Sequence, residues 1–286
     1  AIKRGVTNRI IQELTKLAEA NAERFSTIWD NFGAVLKEGL YEDAERRDQI
    51  FKIARFVGSL HASEKKTLAE YVAALRPNQT AIYYLTGDDV KRMAASPHIE
   101  GFSARGVDVL LLSDPVDSFW VSTAAGFEGK PFKSVSQGTA DIKLIPLLEE
   151  RDECPADTLG ADVATLIAYM KQILSDVVSE VRPSDRLSGS PACLVASESG
   201  PDRRLEKILA QHGRLSTTSK PVLEINPSHA LIVSLAHLFK REEDAEHVGD
   251  IIWLLFDEAR IMDGESPLEA AAFAVRLTRV MARASS

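Results

Sequence analysis

Two apolar, β-branched and aromatic runs, residues 82–85 (IYYL) and 107–112 (VDVLLL), bracket about twenty residues that carry helical spacing and two breakers, Pro97 and Gly101. Runs of this length and composition read as buried strands. A connection long enough to hold a helix lets the second strand lie parallel to the first through a right-handed crossover. Residues 82–117 are therefore expected to form a small α/β layer around which the neighbouring segments pack.

Loops after the C-terminal ends of parallel strands are the usual ligand positions in open α/β sheets, so the acids there raise the first functional question. Thr86-Gly87-Asp88-Asp89 has the spacing of a capping box opening a helix through Val90, Met93 and Ala94. Asp114-Pro115 reads as an N-cap with proline at the first helical position. The alternative makes Asp114 and Asp117 a magnesium-holding pair for small-ligand or phosphoryl-transfer chemistry, with Asp88 and Asp89 as further strand-end acids. Acid pairs of that kind stand two apart rather than three and need a lysine and a third acid at other strand ends. No such set is visible in the sequence, and capping is the favoured reading.

Residues 2–75 read as helices. Val6, Ile10, Leu14 and Leu17 recur at three- and four-residue steps, as do Phe25, Ile28, Trp29, Phe32 and Leu36 after a break at Asn21. Residues 42–55 and 67–75 supply two more helices, the latter ended by Pro77. Trp29 lies in its apolar stripe and is expected in the core. Beyond the second strand, Phe119 and Trp120 are neighbours on a short helix and cannot both face one core, so one of them is expected at the surface.

Residues 132–135 read as one more strand, and the small, polar stretch 136–141 as a linker, which places a domain boundary near residue 140. The charged run 149–153 reads as a solvated face. In the second domain, Val163, Leu166, Ile167, Met170, Ile173, Leu174 and Val177 keep helical spacing, and residues 192–196 and 222–225 read as strands. Between those strands Leu205, Ile208 and Leu209 share one helix face, which is either core or exposed. Asn226-Pro227-Ser228 begins a helix through Leu231, Val233, Leu235 and Leu238. His229, His237 and His247 are too widely spaced to align as metal ligands on one helix face.

Residues 251–256 (IIWLLF) are apolar all round a helix and must be covered on every side. Ser266-Pro267-Leu268-Glu269 reads as a capping box that opens a last helix, striped with Ala270, Phe273, Leu277, Val280, Met281 and Ala284. A hairpin with two apolar faces has only one domain to rest on. Either two copies pair through it as a four-helix bundle, with Ile251, Ile252, Trp253, Leu255, Phe256, Phe273, Leu277, Val280 and Met281 at the contact, or the helix is central in a monomer core. The class is α+β: a helical coil and small α/β layer over residues 1–137, then an α+β domain over 145–286 that ends in a helical hairpin.

Composition narrows the function. With 286 residues, 45% of them apolar, the chain can build two cores, and 34 basic against 42 acidic residues give a net charge of −8 with no basic run to mark a nucleic-acid groove. Cys154 and Cys193 form no CxxC pair, which fits a reduced, cytoplasmic setting and no metal site. No apolar run reaches the roughly 18 residues of a membrane helix, and the N-terminus lacks a signal-peptide core. No phosphate loop, HExxH or GxSxG is present, so no catalytic residue is assigned. The opening without Met, inside a helical pattern, points to truncation.

The strings IYYLTGDD, SPHIEGFSARGVDVLLLSDPVD and FEGKPFKSV, with FGAVLKEGLYED upstream and LEINPSHALIV downstream, closely resemble the bacterial ninety-kilodalton heat-shock chaperone family, in order along nearly the whole chain. The resemblance implies the back portion of that family's middle domain followed by its C-terminal dimerisation domain. It implies non-native client proteins and a second copy of the chain as partners. Phe119, Trp120 and Ser122 would be client contacts, with Ser118 standing where bacterial members often carry an acid. Leu205, Ile208 and Leu209 would form a second client surface in the cleft between protomers, with Pro201 where members can carry Met. It further implies that the hairpin residues dimerise, and that ATP and magnesium belong to an N-terminal domain upstream, so that residues 1–286 hold no cofactor. The ending Arg-Ala-Ser-Ser lacks the acidic motif by which eukaryotic members recruit helical-repeat co-chaperones.

Overall fold

The computed structural model describes residues 2–137, 142–149, 160–196, 202–214, 219–241 and 245–285. The centre of the expected linker, most of the charged run 149–153, Cys154 and Pro201 lie outside the described residues. Residues 1–94 and 106–135 form one compact unit; residues 95–105 and 136–286 form a second.

In the first unit, α1 (Ile2–Ala20) and α2 (Ala22–Glu42) meet at Asn21, whose side-chain oxygen accepts from the Arg24 amide and caps α2. Helix α2 buries Phe25, Trp29, Gly33, Lys37 and Leu40, a stripe of three- and four-residue steps. Trp29 is in the core as expected, and its indole donates to the Arg55 carbonyl at 3.2 Å. Then come α3 (Arg47–Ile53), β1 (Phe56–Gly58), β2 (Lys65–Lys66) and α4 (Leu68–Ala73). A reciprocal pair of bonds between Thr67 and Glu70 opens α4.

The sheet runs β2-β1-β4-β3-β5, with β3 (Ile82–Thr86) parallel both to β4 (Leu110–Leu112) and to β5 (Phe132–Ser134). This is the α/β layer that the apolar runs anticipate. Strand β4 is shorter than the run 107–112 because side chains take the preceding backbone. The Tyr71 hydroxyl donates to the Asp108 carbonyl at 2.6 Å, and the Val109 amide donates to Ser59 Oγ at 3.0 Å. Helix α5 (Val90–Ala94) follows Asp89, which accepts from the Arg92 amide at 2.7 Å. Asp89 rather than Thr86 thus caps α5, and Thr86 stays on β3 opposite Leu112. Further along come α6 (Glu100–Ser103), which belongs to the second unit, and α7 (Asp117–Thr123) in the first. Helix α7 begins at Asp117 rather than at Pro115.

The second unit contains α8 (Ala161–Ile173), β6 (Glu180–Pro183), β7 (Ala192–Val195), α9 (Arg203–Gln211), β8 (Val222–Ile225), α10 (Ala230–Lys240), α11 (Ala245–Met262) and α12 (Ala270–Ala284). Strand β8 is central, parallel to β6 and antiparallel to β7. Its core joins Leu166, Met170 and Leu174 to Leu194, Leu223, Ile232 and Phe256. Cys193, on β7, is also buried, and burial pushes its thiol well above the ordinary range. Helix α12 begins after Glu269, and the expected capping box at Ser266 is absent. Side chains of α11 hold that stretch as a loop instead: Arg260 Nε donates to the Ser266 carbonyl at 3.0 Å, and the Leu268 amide donates to Asp257 at 2.9 Å.

Gly101, a breaker in the sequence, is a point of close approach. A Cβ there would lie 2.7 Å from the Arg186 carbonyl oxygen. Beside it, the Glu100 carboxylate accepts from the amides of Ser188 and Gly189, both at 2.8 Å, and of Ser190 at 3.1 Å, and from the Ser190 hydroxyl. Burial alone would raise this carboxyl, but the Ser190 hydroxyl and the three amides together outweigh it and hold the group below its ordinary 4.5. A depressed carboxyl favours the folded state above the unfolded pKa, and that contribution is lost as pH falls through the folded pKa. Glu100→Gln is therefore expected to lower the denaturation midpoint of the second unit at neutral pH. The gap to the parent should close as the medium is acidified below about 4.5, which urea titrations at several pH values measure.

Candidate functional site

The strand-end acids come first. Asp117 opens α7 and is fully buried; both its oxygens lie 3.0 Å from Lys37 Nζ. Asp114 meets the same ammonium at 2.6 Å. Asp117 also accepts from the Trp120 indole at 2.7 Å and from the Asp114 amide at 3.0 Å. The two carboxylates thus converge on a buried cation reached from α2, and Asp114 does not serve as the expected N-cap. Among the described residues no group of three His, Cys, Asp or Glu side chains could hold a metal ion.

Trp120 requires a correction. It is wholly buried, edge-on to Phe51 at 5.5 Å and to Phe132 at 5.4 Å, and so it has no face to offer a client. The reason is the direction of α7, which points Trp120 onto the sheet and α3 while Phe119 turns outward. Phe119 is half-buried and tilted against Tyr41, with ring centroids 5.9 Å apart; Tyr41 is itself 50% exposed. Ser122 is exposed, its hydroxyl donating to the Phe119 carbonyl at 2.8 Å. The surface at this end is therefore Tyr41, Phe119 and Ser122.

In the second unit, α9 has Leu205, Ile208 and Leu209 half-buried, and none of the three joins the cluster formed by α8, α10, α11 and the sheet. Its one buried residue is Glu206, which accepts from the amide and hydroxyl of Ser219. On its polar side, Arg203 lies 3.0 Å from Asp263 and 2.6 Å from Glu265, in the turn between α11 and α12. Asp263 also faces His98 Nε2 at 3.0 Å. Burial would raise the Asp263 carboxyl, but the His98 hydrogen bond and the charge of Arg203 keep it below its ordinary value.

The hairpin divides the expected dimerisation residues. Ile252, Leu255 and Phe256 are buried in the unit's own core and cannot meet a partner. Ile251 and Trp253 are partly buried against that core. Their helix is apolar all round because it is central in the domain, not because all of it faces a second copy. Helix α12 is the opposite case and buries no residue at all. Phe273 and Val280 are half-covered, while Leu277, Val275 and Met281 are 39%, 57% and 60% exposed. The helix is fixed to α11 by polar means: Arg279 pairs with Glu246 and, at 2.9 Å, with Asp250, and Arg276 lies over the Trp253 ring at 4.8 Å.

Comparison with known proteins bears on these surfaces. The family model described as Hsp90 protein matches residues 1–286. The chain belongs to the Hsp90 family. It is 52% identical to "Chaperone protein HtpG" of Nitrobacter winogradskyi and 53% identical to that of Azorhizobium caulinodans, in each case over 99% of the chain. It is 50% identical to the Mesorhizobium japonicum protein of the same name. It spans 44–45% of the length of these relatives.

In this Hsp90-family chain the sequence reading missed two groups of residues. Lys37 could have been found, because it continues the Phe25, Trp29, Gly33 stripe by one four-residue step, and a lysine in that position must meet buried acid. Arg203, Asp263 and Glu265 left no comparable signal, since charged residues on a helix and in a turn read as solvated.

Proposed function

We propose that the chain is a chaperone module that holds non-native protein on apolar surfaces and pairs with a second copy through α12. The observation that carries this is the stripe of α12, none of whose residues is fully buried and whose Leu277 and Met281 are exposed, in a chain whose relatives are named chaperones. Each large apolar side chain taken from water gains about 1.5–3 kcal/mol. A handful per copy offsets the roughly 4–15 kcal/mol lost on association. Client contact is assigned to Tyr41, Phe119 and Ser122 in the first unit and to Leu205, Ile208 and Leu209 in the second. In this reading residues 1–286 neither bind ATP tightly nor turn it over. ATP and magnesium belong to another part of the longer family chain, and the setting is cytoplasmic.

Light scattering at micromolar concentration is expected to give the mass of two copies. The pair Leu277→Asp and Met281→Asp should give that of one, with the helical circular dichroism kept because both residues are exposed in the single copy. A single-copy mass for the parent chain sinks the pairing.

A further inference from the structure

Helix α9 is nine residues long. Helices shorter than about 12–15 residues are marginal in water by themselves, so its helicity depends on what it docks against. Apolar contact holds it only in part, because Leu205, Ile208 and Leu209 are each half-buried and the one fully buried residue is Glu206. The remaining anchors are polar. Asp202 caps the first turn, accepting from the Arg204 amide at 2.9 Å, and itself takes a bond from the Ser136 hydroxyl at 2.8 Å. Glu206 takes the amide and hydroxyl of Ser219. Arg203 forks between Asp263 and Glu265, and Lys207 reaches Glu265 at 2.5 Å. Glu265 is held from below by Arg260 of α11 at 3.0 Å, and Asp263 by His98 at 3.0 Å.

The side chains of Arg203, Asp263 and Glu265 are 11%, 13% and 15% exposed, so these pairs are much less screened than surface ones. They join α9 to the turn that connects the core helix α11 to α12. We infer that Asp263 and Glu265 are positioning residues for the apolar stripe of α9. By gripping Arg203 and Lys207 they keep the helix formed, so that Leu205, Ile208 and Leu209 stand at i, i+3 and i+4 on one face. An unanchored segment would fray and present the three side chains without that register. The inference rests on the assignment of α9 as a client surface.

Its signature is an inverted salt response. Purely apolar capture is not weakened by added salt, whereas capture that needs an ionically docked helix is. The probe is fluorescein-labelled, reduced and carboxymethylated α-lactalbumin, titrated with the full chain and followed by anisotropy at low and high sodium chloride. The parent is expected to bind less tightly at high salt. Arg203→Gln should lower affinity at low salt on the order of tenfold, by removing hydrogen bonds to two charged partners, and should flatten the salt response. Arg203→Lys should restore part of both, and Glu265→Gln should reproduce the loss without altering α9 itself. The two-copy mass should persist in every variant. Ile208→Asp separates the two readings. If it leaves binding unchanged, α9 is not a client surface and the assignment beneath the inference fails. If it weakens binding while Arg203→Gln and Glu265→Gln, both folded by circular dichroism, bind as the parent does with the same salt response, the positioning role is overturned.

Discussion

Trp120→Ala is expected to destabilise the first unit by about 3–5 kcal/mol, the usual cost of deleting a large aromatic from a packed core. The ring is edge-on to Phe51 and Phe132 and tilted against Phe56 at 5.8 Å, so its removal leaves a cavity lined by three other rings. It also removes the indole N–H from Asp117, a buried acceptor. In a unit of this size the melting temperature should fall on the order of 10–20 °C. Any loss of client binding would follow from unfolding, so affinity must be compared below the variant's transition. Phe119→Ala is the surface control, expected to leave the midpoint within about 1 kcal/mol of the parent. A Trp120→Ala protein that melts with the parent would mean that the indole is not in the core.

The second large effect is at Lys37. Its ammonium is the shared partner of Asp114 and Asp117, and its side chain is 7% exposed. Lys37→Ala leaves a fully buried carboxylate without its cation, and breaking one side of a buried pair typically costs about 3–5 kcal/mol. Replacing Lys37 by methionine together with Asp117 by asparagine keeps volume and removes both charges. This pair should recover much of the loss, because the penalty lies in the stranded charge more than in the missing attraction. Urea unfolding of the two variants tests this. The effects of Lys37→Ala and Trp120→Ala should not add, since both act on Asp117.

Much of the fold was legible because burial writes period into sequence. The runs at 82–85 and 107–112 became parallel strands, and the stripes of α2, α8 and α11 became core faces. Strands β1 and β2 escaped notice, being three and two residues long, too short for alternation to show. Strand β6 escaped because only Val181 of its four residues is buried. Capping was legible only in part. The Thr-to-acid spacing at Thr86 and at Ser266 matches a box, but in the fold Thr86 stays on β3 while Asp89 takes the cap, and side chains of α11 hold the stretch after Ser266 as a loop.

At the candidate site the sequence identified the right segments and, in places, the wrong members. Two adjacent aromatics had to point apart, yet only the packing of α3 and the sheet decided that Trp120 and not Phe119 turned inward. Six consecutive apolar residues in α11 had to be covered, yet composition does not say whether the cover is the domain itself or another copy. Ile252, Leu255 and Phe256 are covered by the domain. The charged grip on α9 was illegible because its partners come from residues around 98, 203 and 263, which sequence alone does not bring together.

Cys193 offers the second unit a built-in clock. Thiolate, not thiol, reacts with alkylating reagents, and this sulfur is both enclosed beside Leu187, Val195 and Val222 and raised in pKa. Iodoacetamide should therefore modify it only through states in which the β-sheet has opened, so peptide mapping of the modified position over time reads the opening free energy of the strands when reclosing outpaces alkylation.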